Sequence, residues 1–170
     1  MIQSKRIFII VLVIVTCIGC DQATKTIASR TLAPSRPIVL IDRVFHLEYT
    51  ENSGAMLGIG SELPGNVRFW LLRVFAGCAL FTILAFTALD KSLNSTDILS
   101  LSLVLGGGLG NLTDRLFKDG IVVDFMIITL GSLKTAIFNF ADLSIVTGLL
   151  LLALSHVRWF SSSPQAKSEG

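Results

Sequence analysis

Residues 69–89 read FWLLRVFAGCALFTILAFTAL, a run in which Arg73 carries the only charge. About 20 mostly apolar residues suffice to cross the hydrocarbon core of a bilayer as a helix. The stretch therefore predicts a transmembrane span and sets the fold class. Three more segments share its character. Ile7–Cys20 is uncharged, and its apolar character continues towards Ala28 past Asp21 and Lys25. Ile98–Thr113 is uncharged between Asp97 and Asp114, and Thr135–Val157 is interrupted by Asp142 and by His156 near its end. These runs predict spans over about 7–28, 68–89, 97–114 and 136–158. The first and third reach spanning length only if their polar ends continue the helix, which requires a protein interior or an interface around them. Composition agrees. Of 170 residues 52% are hydrophobic and 15% charged, against roughly 25% charged in soluble domains, and the mean hydropathy is +0.72. A net charge of +2 is too small to argue for nucleic acid as a partner. Three cysteines cannot close a disulfide framework.

The connections differ in kind. Asp90–Thr96 is short and polar and predicts an antiparallel hairpin of the second and third spans. Residues 30–67 are too many for a structureless loop. Within them Val44, His46, Glu48 and Thr50 alternate with Phe45, Leu47 and Tyr49, the period of a strand, and Asn52-Ser53-Gly54 follows with turn chemistry. Gly120–Ser132 is apolar, contains Asp124 and is too short to span; it reads as an extended or re-entrant piece beside the bundle. The expected fold is an all-α membrane protein, four transmembrane helices with a small extracytoplasmic β-structure from the first long loop. Residues 1–160 form one integral membrane domain, and 161–170 a disordered cytoplasmic tail. Charge counts do not orient it, since Lys and Arg are slightly more numerous on the side away from the termini. Lys5 and Arg6 before the first span favour cytoplasmic termini, because the first helix usually dominates.

Sorting polar residues by membrane face needs no orientation. Asp21 and Lys25 leave the first span, Asn52 precedes the second, Asn111, Asp114 and Arg115 leave the third, and Asn139 and Asp142 enter the fourth. With Asp124 they all fall on one face. Asp21 and Lys25 are four apart and can pair on a helix; Asn111 and Asp114, and Asn139 and Asp142, are three apart. Gly106 and Gly110 are four apart and permit close helix contact. Two carboxylates brought together cannot both ionise easily, so one keeps its proton and the other acts as a base. Asp124 and Asp142 fit that pattern and would activate water for attack on a peptide carbonyl. The competing reading has each Asp cap a helix or pair with Arg115, Lys118 or Lys134. His-Glu-x-x-His is absent, which excludes a zincin, and no Gly-x-Ser-x-Gly elbow accompanies His46. Cys17-Ile18-Gly19-Cys20 has some features of a lipoprotein signal but reads better as packing or lipid-facing cysteines, as does Cys78.

Taken in order, Asp21-Gln22-Ala23-Thr24-Lys25, Asn52-Ser53-Gly54-Ala55, the run from Gly106 to Arg115, Val122-Val123-Asp124-Phe125 and Phe138-Asn139-Phe140-Ala141-Asp142 resemble the five motifs of the lipoprotein signal peptidase (type II signal peptidase) family. The chain departs from that family's usual pattern at Met56-Leu57, where Ala-Phe is usual, and at Gly108, where Ala is usual. The resemblance implies a metal-independent aspartic endopeptidase, without cofactor, in the bacterial plasma (inner) membrane. It has cytoplasmic termini and an active site at the extracytoplasmic face. Such an enzyme removes signal peptides from prolipoproteins on the amino side of a diacylglyceryl-modified cysteine. The catalytic pair carries over onto Asp124 and Asp142, and supporting roles onto Asp21, Lys25, Asn52, Gly54, Asn111, Asp114, Arg115, Asn139 and Ala141, with Asp114 and Arg115 read as a site-ordering pair. The expected partners are diacylglyceryl-modified prolipoproteins, membrane lipid and globomycin-like inhibitors, and the expected state is a monomer. A proton-coupled transporter, which would place polar groups on both faces, and a structural membrane subunit are the competing classes.

Overall fold

The computed structural model describes residues 3–32, 37–55 and 58–161, with side chains up to 157. The tail beyond 161 and the Met56-Leu57 departure lie outside the described residues. Helix α1 (Gln3–Thr31) is followed by strands β1 (Ile38–Ile41) and β2 (Phe45–Asn52). Then come helix α2 (Gly65–Leu89), helix α3 (Ser95–Phe117), strands β3 (Val122–Leu130) and β4 (Leu133–Lys134), and helix α4 (Phe140–Ser161).

Three helices, α1, α2 and α4, are long and apolar enough to cross a membrane. Their outward faces carry large apolar side chains such as Phe8, Val15, Phe81 and Leu150, a surface that suits lipid rather than water. Helix α1 has 29 residues, about 44 Å at 1.5 Å per residue, so it outreaches a hydrocarbon core of about 30 Å. Ala28 near its end and Leu32 just after it pack against Phe125 of β3 together with Leu47, Tyr49 and Met126. The long first helix thereby docks the sheet onto the end of the bundle.

Helix α3 is less apolar and is the centre of the bundle, packed against α1, α2 and α4. At 23 residues it is about 34 Å long. Because protein rather than lipid surrounds it, it tolerates Ser100, Ser102, Asn111 and Asp114 as buried groups. Its glycines set the approach of its neighbours. A Cβ on Gly106 would lie 2.6 Å from the Cβ of Cys17 on α1, and one on Gly110 would lie 2.9 Å from Asp21 Oδ2. A Cβ on Gly107 would collide with the Ala141 carbonyl oxygen on α4. The close contact expected from Gly106 and Gly110 is present.

The strands form one antiparallel sheet in the order β1-β2-β3-β4. This corrects one expectation, since the β-structure does not come from the first loop alone: β3 and β4 follow α3. Of the two readings of Gly120–Ser132 the extended one holds: β3 pairs with β2, Asn52 facing Val122 and Thr50 facing Asp124, so its backbone groups are satisfied within the sheet. The last helix also starts later than expected. Phe138 is extended, bridging to Met126, and the helix begins at Phe140.

Polar residues are not confined to one end. At the end bearing the termini, Asn94 and Asp97 form a reciprocal capping box on α3, Asp97 accepts from Ser155 Oγ at 2.8 Å, and the buried Arg6 donates from Nε to the Thr87 carbonyl at 2.8 Å. Each of these groups closes a helix end against a neighbour.

Candidate active site

At the other end of the bundle the polar residues converge. Asp124 sits on β3, a strand whose first four residues are all buried. Its Oδ1 accepts from Asn139 Nδ2 at 2.6 Å and its Oδ2 from Asn52 Nδ2 at 2.9 Å. Asp142 sits in the first turn of α4. Its Oδ1 accepts from Asn111 Nδ2 at 2.9 Å, and its Oδ2 from the backbone N–H of Asn139 at 3.1 Å. Asn139 Oδ1 in turn accepts from the N–H of Asp142 at 3.0 Å. Asn139 and Asp142 are therefore the two halves of a reciprocal cap, rather than neighbours on one helix face as their spacing suggested. Asn139 touches both aspartates, and Asn111 Oδ1 accepts from its Nδ2 at 3.1 Å. Both carboxylates line one cavity of about 300 Å³, with Asn52, Asn111 and Arg115 as polar neighbours and Val122, Ile128 and Val146 among its apolar walls.

Beneath the aspartates lies a buried ionic layer. Lys25 Nζ donates to Asp21 Oδ2 at 2.7 Å and to Asn111 Oδ1 at 2.9 Å, and its charge lies 2.7 Å from Asp114 Oδ2. Lys25, Asp21 and Asp114 have 0% side-chain exposure. Asp114 Oδ1 also pairs with Lys118 at 2.7 Å, and the N–H of Ala141 donates to Asp21 Oδ1 at 3.0 Å. Lys25 thus fixes the carbonyl end of Asn111 and points its amide at Asp142.

Asp114 and Arg115 do not pair with each other as expected. Asp114 faces the two lysines, whereas Arg115 Nη2 donates to the Gly54 carbonyl at 2.8 Å. Asn52 Oδ1 accepts from the Gly54 N–H at 2.9 Å. Arg115 and Asn52 together tie the loop after β2 to the cavity. All the other residues named from the motifs meet at this end of the bundle. Gln22 was not among the expected site residues, yet its Nε2 donates to Asp21 Oδ2, to the Gly110 carbonyl and to Asp114 Oδ1 at 3.0–3.3 Å. Its place inside the first motif was the available signal.

Burial dominates the Asp124 carboxyl and pushes it up to about 6. The Asn52 hydrogen bond opposes this shift, and the nearby negative charge of Asp142 adds to it. The group is therefore half ionised near pH 6, within reach of both states close to neutral pH, a shift of the kind found at functional sites.

Residues 13–158 match the family model described as signal peptidase (SPase) II. The chain belongs to the signal peptidase II family. Members of the signal peptidase II family are proteases, and the apolar helices make this one an integral membrane protein. Among similar relatives, the lipoprotein signal peptidase of Oleidesulfovibrio alaskensis is 32% identical over 153 residues, covering 90% of this chain and 97% of that one. The lipoprotein signal peptidase of Halothermothrix orenii is 34% identical over 148 residues, covering 87% and 92%. A bacterial membrane enzyme solved by the in meso method superposes with a TM-score of 0.76 at 28% identity, covering 94% of this chain and 92% of that one.

Proposed function

We propose that this chain is an aspartic endopeptidase that removes signal peptides from bacterial prolipoproteins, cleaving on the amino side of a diacylglyceryl-modified cysteine. The observation that carries this reading is that Asp124 and Asp142 line a single cavity and are linked through Asn139. Asp142, with both oxygens held, takes a proton from water. The water oxygen attacks the scissile carbonyl carbon while Asp124 gives its proton to the carbonyl oxygen. The resulting gem-diol collapses as the C–N bond breaks. The proton on Asp142 passes to the leaving nitrogen, and one gem-diol hydroxyl returns its proton to Asp124. Both carboxyls end as they began.

On this reading residues 1–160 are one membrane domain with α3 as the fourth span. The termini are cytoplasmic and the cavity lies at the extracytoplasmic face of the plasma membrane. The acyl chains of the precursor hold its cysteine at the interface, where the dyad meets both lipid and water. The loop carrying Asn52 and Gly54 closes over the bound segment, which positions the bond. No metal or cofactor enters the chemistry, the working unit is a monomer, and globomycin-like peptides occupy the same cavity as competitive inhibitors.

The purified protein should shorten a diacylglyceryl-modified prolipoprotein on a gel and leave the unmodified precursor intact. Equal cleavage of both, or of neither, sinks the proposed specificity. The pH dependence has a definite sign. Asp124 must be protonated to donate, and it ionises as pH rises through about 6. The kcat/KM value, which reports the free enzyme, is therefore expected to fall by about tenfold per pH unit above that point when this group alone controls it. A profile still rising between pH 6 and 8 would reverse the assigned roles.

A further inference from the structure

A second polar cavity lies at the same end of the bundle, between α2 and the turn that follows α3. It holds about 150 Å³ and is lined by Arg68, Arg73 and Arg115, with Asp119 as the single carboxylate. None of the three arginines has an ion-pair partner among the described residues. The Nε atoms of Arg68 and Arg115 are buried without a hydrogen-bond partner, although buried donors are almost always paired. Among the described residues the Arg68 side chain reaches the Ser53 carbonyl alone, at 3.5 Å. Arg73 lies against the backbone of Gly120, where an added Cβ would stand 2.7 Å from its Nη2.

The backbone is shaped to assemble this cluster. Residues Trp70–Phe75 form a π-helical turn. In an α-helix, residues five apart point about 140° away from each other. A π turn, with its i to i+5 hydrogen bonds, brings residue 73 round towards the face of residue 68. Three guanidiniums facing one cavity repel one another unless an anion lies between them. Their planar forks match the oxygens of a phosphate. The cavity is rimmed by Phe69, 42% exposed, and the adjacent Trp70 is 64% exposed, a residue type enriched at membrane interfaces.

We propose that the Arg68–Arg73–Arg115 cavity binds the phosphate of an anionic glycerophospholipid from the surrounding leaflet. Interfacial basic pockets beside membrane helices recognise such headgroups. Arg115 lines both cavities, so a lipid seated here also braces the guanidinium that ties the Gly54 loop to the aspartates.

The test is native mass spectrometry of the detergent-purified full chain, titrated with phosphatidylglycerol, with phosphatidylcholine and with inorganic phosphate. Phosphatidylglycerol should be retained in preference to phosphatidylcholine, and an excess of inorganic phosphate should not displace it. Arg68→Gln and Arg73→Gln should each weaken its binding by about tenfold, the loss of one charge-assisted contact. Asp119→Asn provides a variant of opposite sign. Asp119 is exposed at φ +50°, a conformation Asn tolerates, and removing its charge should tighten lipid binding several-fold even if an arginine variant fails to fold. No preference between the lipids, unchanged binding in a folded Arg73→Gln, unchanged binding in Asp119→Asn, or displacement by free phosphate each overturns the proposal. Binding is read without any cleavage step, so its failure is separable from failure of the peptidase reading.

Discussion

Replacing either Asp124 or Asp142 by Asn is expected to lower the turnover of a lipidated prolipoprotein by on the order of a thousandfold or more, since each substitution removes one half of a concerted proton transfer. The two variants should nevertheless differ in stability, and that difference separates a chemical role from a structural one. Burial raises the Asp124 carboxyl in the folded state to about 6 from an ordinary 3.8. The folded protein therefore binds this proton more tightly than the unfolded chain. The group favours folding at low pH, and this contribution is lost as pH rises from about 4 through 6. By pH 8 the ionised group costs on the order of 3 kcal/mol. Asn at position 124 removes that cost and forfeits one of the two hydrogen bonds from Asn52 and Asn139, about 1 kcal/mol. Asp124→Asn should thus melt at or above the wild-type temperature at pH 8 and lose that advantage near pH 4. Asp142 accepts from the Asn139 N–H at the start of α4, so Asp142→Asn weakens a cap and should melt slightly lower, by about 1 kcal/mol. Gel-shift cleavage and thermal melting of the three proteins read both effects. Near-normal cleavage by either variant would move the chemistry elsewhere. A large loss of stability in Asp124→Asn at pH 8 would favour a structural subunit.

Much of this site is visible in the sequence because it is built from a few costly choices. Asp and Lys inside apolar helices, and amides at helix ends, stand out against a lipid-suited background, and their order along four helices is enough to place them at one end. What the sequence does not carry is what depends on backbone geometry. Asn139 and Asp142 are three apart, which fits a helix face and a reciprocal cap equally well; only the extended backbone at Phe138 decides for the cap. Gly120–Ser132 has the composition of both a buried strand and a re-entrant segment, and its pairing with β2 depends on contacts far along the chain, such as Thr50 with Asp124. Ile38–Ile41 is four apolar residues with no alternation and every position exposed, so it gives no periodic signal. Adjacent charges misled in one place: Asp114 and Arg115 follow each other in sequence but point to different partners, the two lysines and the Gly54 carbonyl. Polar groups at the far end, such as Arg6 and Asp97, give no separate signal, because a capping residue looks like any other loop residue until its helix is drawn.

Lys25→Met is expected to be among the most destabilising single substitutions in the chain. The ammonium is the shared partner of Asp21 and Asp114, and all three side chains have no solvent exposure. Removing one member of a buried pair leaves an uncompensated charge and costs about 3–5 kcal/mol, a large part of a typical total stability of about 5–15 kcal/mol. In the native layer two lysines, Lys25 and Lys118, balance two carboxylates, Asp21 and Asp114. Lys25→Met leaves that balance at minus one. Adding Asp21→Asn restores it, because Asp114 still holds Lys118. The double variant should therefore regain most of the lost melting temperature, since a neutral packed group can replace a buried ion pair at little net cost. Activity should not follow. Lys25 also donates to Asn111 Oδ1, and that contact turns the amide of Asn111 towards Asp142 Oδ1. Asn139 still holds Asn111 through its own Nδ2, so the loss is partial, about tenfold in kcat with KM little changed, as fits a positioning residue. Thermal unfolding and steady-state cleavage of the wild type, Lys25→Met and the double variant separate the two roles. Wild-type melting in Lys25→Met would show that the ionic layer carries no stability. Full recovery of turnover in the double variant would confine Lys25 to holding the helices together.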